Sequence, residues 1–516
     1  MVEDTPRTPA ATATLRPNAI GFVDALAIGL NATSPAYSLA AVIGPIVALV
    51  GVHAPGVMLA SFVPMVLIAS AFYYLNRSDP DCGTTFSWVT RALGPTTGWL
   101  GGWAITMTGV LVVGSLADVA VNFGLLAVGL DGWAANTLIR QTLTVLVIVA
   151  MAALCVRDTQ AAARLQNVLV LLQTLCLFVF AAVALYRVHA GTGSLDAVRP
   201  SADWLDPFGA GSTALTGGLL LGVFVYWGWE SAVNLTEETT DPSSAPGRAG
   251  LWSTVVLLAT YVSVAFAVVA YAGTGYLAAH ADEEAVFASL AREALGGWDW
   301  IVLLAVATSA LASTQTTIIP ASRTALSMAR RQALPRRFGL IHPRYRTPAV
   351  STWWVAGTAT VWYLLIHRIS ENALADSLTA LSLLIAFYYA LTGIACAVYH
   401  RRRLTAGVRE FLFIGAGPLL GAAMLVWLLV EAVADMADPA NSSGGTSWFG
   451  LGPPLVIALG LSLAGVLVML ARRAVSGAFW AERPSVYGAP SDRTAMSARQ
   501  ARPQPVPIVS GSREDH

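Results

Sequence analysis

The chain has 516 residues, 56% of them hydrophobic and only 12% charged, with a formal net charge of zero and a mean hydropathy of +0.63. Soluble domains carry about 25% charged residues, so this composition excludes an ordinary soluble protein, and the neutral balance argues against nucleic acid as a partner. All 30 basic residues are arginine, which excludes a lysine Schiff base and a P-loop lysine.

Residues 1–18 are polar, rich in Pro and Thr, and carry no signal peptide; we read 1–19 as an N-terminal tail. A helix needs roughly 18 apolar residues to cross a bilayer. Twelve runs of that kind follow, at about 20–50, 55–75, 96–128, 134–155, 162–188, 210–236, 251–278, 298–328, 349–366, 374–399, 411–434 and 450–471. An even number puts both ends of the chain on one side. With the N-terminus inside, the inner segments hold Arg77, Arg91, Arg157, Arg248, the pairs Arg330-Arg331 and Arg336-Arg337, the triplet Arg401 to Arg403, and Arg472-Arg473. The outer segments hold only Arg140, Arg187, Arg199, Arg292 and Arg368, and carry acids such as Asp282, Glu283 and Glu284. The positive-inside rule then predicts a multi-pass protein of the plasma (inner) membrane with both termini cytoplasmic. Residues 474–516, rich in Pro, Ser, Arg and Ala, read as a disordered cytoplasmic tail. The four cysteines imply no disulfide framework.

Two of the runs are interrupted. The first contains Asn31-Ala32-Thr33-Ser34-Pro35-Ala36 near its middle, where Pro35 removes a backbone donor and polar neighbours can satisfy the freed groups. A simple proline kink is the plainer alternative. The sixth breaks around Tyr226-Trp227-Gly228-Trp229, carries Glu230 just past the break, and runs into Glu237, Glu238 and Asp241. Opened backbone at bilayer depth is tolerated where it lines a polar cavity or is buried in protein, and two such helices five spans apart are the pattern of an inverted repeat with a binding site between them. The amides at Thr33, Ser34 and Ala36 would face an anion such as a carboxylate, and the carbonyls of Val225, Tyr226 and Trp227 an ammonium. An amino acid carries both groups.

Four stretches, in order, carry a family resemblance. They are FVYWGWESAVNLTEETTDPSSAPGRA in the sixth span, residues 75–103 between the second and third, RLQNVLVLL opening the fifth, and residues 309–348 over the eighth and its basic loop. Together they resemble the amino acid/polyamine/organocation superfamily, whose fold is similar to that of the leucine transporter. The resemblance implies an all-α integral membrane protein of about twelve transmembrane helices: a 5+5 inverted repeat with discontinuous helices 1 and 6 (repeats at 20–188 and 210–399), plus two additional helices at 411–471. It also implies roles. Phe224 matches an aromatic gate, although lipid or core packing explains a phenylalanine there equally well by chemistry alone. Tyr226, Trp227 and Gly228 match the stretch whose carbonyls hold the substrate amine. Glu230 matches a glutamate that shapes the site or titrates; a structural hydrogen-bond anchor is the alternative. Glu237, Glu238 and Asp241 read as a cap and gate network at the cytoplasmic exit.

The departures from the family are informative. A Gly-x-Gly break is replaced by Asn31 to Pro35. The lysine of many sodium-independent relatives is replaced by Gln173, which cannot titrate. Ser313 and Thr314 lie where hydroxyls ligate sodium in sodium-driven relatives, but small hydroxyls also satisfy themselves on helix carbonyls. Asp118, an acid inside the third span, would contact a cationic substrate group, carry a proton, or pair with Arg140.

The expectation is a permease: a secondary active transporter of an amino acid or related amine, working by alternating access, as a proton-coupled symporter or an exchanger. The alternatives are a sodium-coupled symporter using the same site and a transporter-like receptor. No metal-protease, hydrolase or Cys/His ligand motif is present, so no enzyme and no cofactor is expected. The expected partners are the small-molecule substrate, membrane lipid, and a proton or sodium co-ion.

Overall fold

The structure, a computed structural model, describes residues 14–157, 159–194, 196–281, 286–370, 372–441 and 446–488. Most of both expected tails, and the acidic stretch Asp282 to Glu284, lie outside the described residues.

The chain is helical throughout, with no strand among the described residues. The first membrane run is two helices, α1 (Phe22–Thr33) and α2 (Pro35–Val50). α3 (Ala54–Ser78) returns, and α4 (Thr85–Leu93) precedes the long α5 (Pro95–Ala127). The short α6 (Asp131–Ala135) leads to α7 (Thr137–Arg157) and α8 (Thr159–His189). α9 (Ser212–Val225) stops in mid-run and a 3₁₀ helix, Trp229–Glu238, continues it. There follow α10 (Ala245–Ala279), α11 (Val286–Leu295), α12 (Trp300–Arg330), α13 (Ala349–Ile369) and α14 (Ala373–Tyr399). α15 (Val408–Glu410) passes through a π-helical stretch, Phe411–Ala416, into α16 (Gly417–Ala437), and α17 (Pro453–Val475) completes the bundle.

Among the described residues, 10 stretches are long and apolar enough to cross a membrane. One of them, Phe22–Ser78, contains the first two expected crossings. The sixth expected crossing is missing from that set because α9 has only 14 residues before its break. With these two allowances all the expected crossings are present.

Helix α12 is polar along much of its length and yet buried: Ser309, Ser313, Thr314, Gln315, Thr316, Thr317, Ser322, Arg323 and Thr324 are all shielded. Such a helix belongs in the interior of a bundle. It lies along α5, where Gly109 approaches so closely that an added Cβ would sit 2.8 Å from the Ala321 methyl; small residues permit this approach. Helix α1 packs against α8, α10, α12 and the 3₁₀ helix, so both interrupted runs are held by continuous helices.

A third interruption has no counterpart in the sequence reading. Gly273, inside α10, adopts φ 71° and ψ 161°. The carbonyls freed there are taken by the segment after α8: Val198 N–H donates to Ala270 O (2.8 Å) and Ser194 Oγ to Tyr271 O (2.5 Å).

Candidate functional site: the meeting of two broken helices

The first break is made by Ser34. Its φ of 51° and ψ of 61° end α1, and Pro35 opens α2 at the first helical position, where a missing N–H costs nothing. The neighbouring side chains take up the freed groups. Thr33 Oγ1 donates to Leu30 O (2.6 Å) and Ser38 Oγ to Thr33 O (2.7 Å), while Ser34 Oγ pairs with Ser309 Oγ of α12 (2.9 Å). The first turn of α2, with Ala36 in it, keeps amides that no intrahelical carbonyl can reach, which is a place for an anion.

The second break lies directly against the first. Gly228 has φ 118°, and a Cβ there would stand 2.6 Å from Ala32 O and 2.9 Å from Thr33 N. Only glycine permits this backbone-to-backbone contact. The two breaks predicted from separate parts of the sequence are thus one structural feature, and Phe224, Val225, Tyr226 and Trp227 around it are all buried.

Some groups expected to face a ligand also have partners within the protein. Tyr261 OH of α10 donates to Val225 O (2.7 Å), which takes one of that carbonyl's two lone pairs. The Tyr226 side chain points to α3, where its hydroxyl donates to Met58 O (3.1 Å). Trp227 turns the other way, and its Nε1–H donates to Tyr388 OH of α14 (2.5 Å).

Glu230 is the charge at the centre. Tyr388 OH donates to one carboxylate oxygen, and Tyr389 OH (2.5 Å) and the Gly228 amide (3.1 Å) donate to the other. All three partners are donors, which suits an ionised carboxylate. Among the described residues it has no arginine partner. The two tyrosines come from α14, a helix without any motif in the sequence reading. The one signal in the sequence is a Tyr-Tyr pair inside an apolar run, which the sequence reading passed over.

The remaining candidates separate. Asp118 sits away from the breaks, facing α7 and α13: Arg140 forms an ion pair with it (3.1 Å), Tyr363 OH donates to it (2.7 Å) and Thr144 Oγ1 adds a third contact (3.3 Å). The arginine pairing is therefore the alternative realised. Gln173 does lie at the first break, donating its Nε2–H to Asn31 Oδ1. Ser313 Oγ donates to Ala32 O (3.0 Å), whereas Thr314 Oγ1 turns back on its own helix at Ala310 O (2.8 Å).

At the arginine-rich end the 3₁₀ helix is tied down. Arg323 and Glu238, 1% and 0% exposed, form a two-pronged pair (3.1 and 3.2 Å), and Thr159 Oγ1 adds a bond to Glu238 (3.0 Å). Arg330 holds Glu237 (2.8 Å) above Cys82, and the Asn234 amide donates to Cys82 O (3.0 Å). Asp241, by contrast, caps the turn before α10 and makes no ion pair among the described residues. The breaks are thus buried, and this end of the bundle is pinned shut by ion pairs.

Comparison with known proteins agrees with this architecture. A protein of Mycobacterium tuberculosis named as an uncharacterized transporter is 32% identical over 341 residues, covering 64% of this chain and 70% of the relative. The low-affinity putrescine importer of Escherichia coli is 22% identical over 396 residues, covering 73% and 81%. The human Asc-type amino acid transporter 1 is 26% identical over 328 residues, covering 60% of each chain. The amino acid permease family model matches residues 20–461, nearly all of the helical bundle, and the chain belongs to that family.

Proposed function

We propose that this protein carries an amino acid or a related amine across the plasma membrane by alternating access, with its arginine-rich end and both termini in the cytoplasm. The five-helix units 20–188 and 210–399 would rock about the site where the two breaks meet. The single observation that supports this most is the buried Glu230 carboxylate, held at that meeting point by hydroxyls and an amide and, among the described residues, by no cation. A substrate ammonium set against the carbonyls of Tyr226 and Trp227 would supply the missing positive charge, and a carboxylate, where the substrate has one, would reach the amides at the start of α2. Phe224 and Trp227 would close over it.

Exchange is the mode this arrangement favours. Asp118 is bound to Arg140 and Gln173 does not titrate, so neither is set up as a proton carrier. Glu230 is the coupling candidate that remains. The test is counterflow into proteoliposomes with a labelled panel of amino acids and amines, with sodium and proton gradients imposed separately. Exchange of an amine-bearing solute without either gradient supports the reading. If no member of the panel moves under any condition, the reading fails.

A further inference from the structure

Around Asn31, helix α1 is fastened to α8 by uncharged amide groups. Asn31, fully buried, donates its Nδ2–H to the backbone carbonyl of Gln166 on α8 (2.6 Å). A backbone carbonyl can only accept, so the orientation of the Asn31 amide is fixed. Its oxygen must then face a donor, and Gln173 Nε2, about two turns further along the same face of α8, supplies it. Gln166 continues the chain to α12 by donating to Gln315 Oε1 (2.6 Å) and to Ala312 O (3.3 Å). All four amide side chains are at most 1% exposed. Beside them lies a small cavity, large enough for about one water molecule, lined among others by Ile28 of α1, Leu235 of the 3₁₀ helix, Gln166, Gln315 and Cys155. The inner half of the first helix is therefore bridged to α8, and through Gln166 to α12, by directional bonds beside a gap in the apolar packing.

We infer that Gln173 is a positioning residue: its amide, acting through Asn31, latches the inner half of the first helix shut, so that closure of the cytoplasmic side needs no bound cation and no protonation step at this place. The consequence for transport rests on the permease reading, but the latch itself does not. The charge pattern agrees. The elements packed against α8 carry the ionisable groups Asp24 on α1, Tyr37 on α2, Arg140, Cys155 and Arg157 on α7, Arg248, Tyr261, Tyr271 and Tyr276 on α10, Arg292 and Glu293 on α11, and Arg323 and Arg330 on α12, and the Gln173 amide donates to none of them but to Asn31. Asp24 is held by Asn167 (2.7 Å) and Arg323 by Glu238.

The natural cysteines report on the latch without any substrate. Cys82 is 0% exposed beneath the Glu237–Arg330 pair, and Cys155 is 3% exposed against the cavity. Burial also pushes the Cys82 thiol well above its usual range, so it stays unreactive while that side is closed. Swinging α1 and the 3₁₀ helix outward would uncover both.

The experiment is maleimide labelling of the full-length purified protein, resolved by cysteine-containing peptide, from pH 5.5 to 8 in sodium or choline chloride. Each variant is read as a ratio to wild type at the same pH. Gln173→Ala should label Cys82 and Cys155 several-fold faster at every pH. Gln173→Glu is the sharper variant. An ionised glutamate offers Asn31 Oδ1 no donor and should label fast at pH 8, whereas a protonated one restores an O–H donor and should approach wild type at pH 5.5, reversibly in one preparation. Burial places that titration within the range by raising a carboxyl group. Two results would overturn the inference: Gln173→Glu labelling like wild type throughout, or sodium slowing the labelling of wild type relative to choline. A failure to find any transported solute would sink the permease reading and leave this result standing.

Discussion

Replacing Gly228 by alanine tests whether the two breaks depend on direct backbone contact. The new methyl group would meet Ala32 O at 2.6 Å, Ala32 C at 2.7 Å and Thr33 N at 2.9 Å. These are backbone atoms at a helix break, so no side chain can rotate away. The residue would also have to hold φ 118°, which costs an L-amino acid about 1–2 kcal/mol. Overpacking of a tight interior site adds about 1–3 kcal/mol. The arrangement with the breaks in contact should therefore lose roughly 2–5 kcal/mol relative to states in which the half-helices are apart. At 1.4 kcal/mol per tenfold change, that is about 30-fold to a few thousand-fold in its population. The assay is the initial rate of counterflow in proteoliposomes, with melting temperature recorded in parallel. Gly275→Ala serves as the control, because nothing lies within 4 Å of its added Cβ, and it should behave as wild type. Should Gly228→Ala exchange solute within threefold of wild type, the close approach of the breaks would not be a requirement of the cycle and the reasoning would be refuted.

Three further substitutions follow from the site. Glu230→Gln keeps the shape but removes the charge opposite the expected ammonium. A charged hydrogen bond contributes about 1.5–3 kcal/mol, so binding of a labelled substrate should weaken about 10- to 150-fold, and unchanged affinity would remove Glu230 from the site. Arg323→Met strands Glu238, 0% exposed, without its cation; a loss of about 3–5 kcal/mol should lower the melting temperature and speed Cys82 labelling, while Arg323→Met combined with Glu238→Leu should recover most of the stability. Asp118→Asn leaves the Tyr363 bond possible but breaks the ion pair with the partly exposed Arg140. It should lower the melting temperature modestly and leave substrate affinity unchanged, and a loss of affinity would return Asp118 to the binding site.

The parts of this architecture that the sequence announces are those where local chemistry forbids a continuous helix. Ser34-Pro35 and Tyr226 to Trp229 are legible because a proline and an aromatic-flanked glycine interrupt apolar runs whose length is otherwise set by the bilayer. Gly273 is not legible by the same test. It stands in a run rich in Gly and Ala, where glycine is ordinary in membrane helices, and what turns it into a break is Val198 and Ser194 arriving from a distant segment to take the freed carbonyls. Likewise Asp118 announces itself as a costly charge, but whether it meets substrate or Arg140 depends on which face of α5 looks toward α7.

The same distinction explains the centre of the site. Glu230 was visible as an acid beside a break; its partners were not, because Tyr388 and Tyr389 lie on a helix more than a hundred residues away in the chain and their spacing is compatible with plain core packing. Yet those partners decide what the carboxylate can do. Hydroxyl and amide donors satisfy its oxygens without a cation among the described residues, and so leave the carboxylate open to a positively charged ligand group. A partner arginine, as at Asp118 and Glu238, would have spent that charge inside the protein. Asp118, Glu238 and Glu230 are buried acids of one chemical type, and their roles diverge only through what the fold places opposite each: a cation at the scaffold, a cation at the arginine-rich end, and, among the described residues, only neutral donors where the two broken helices meet.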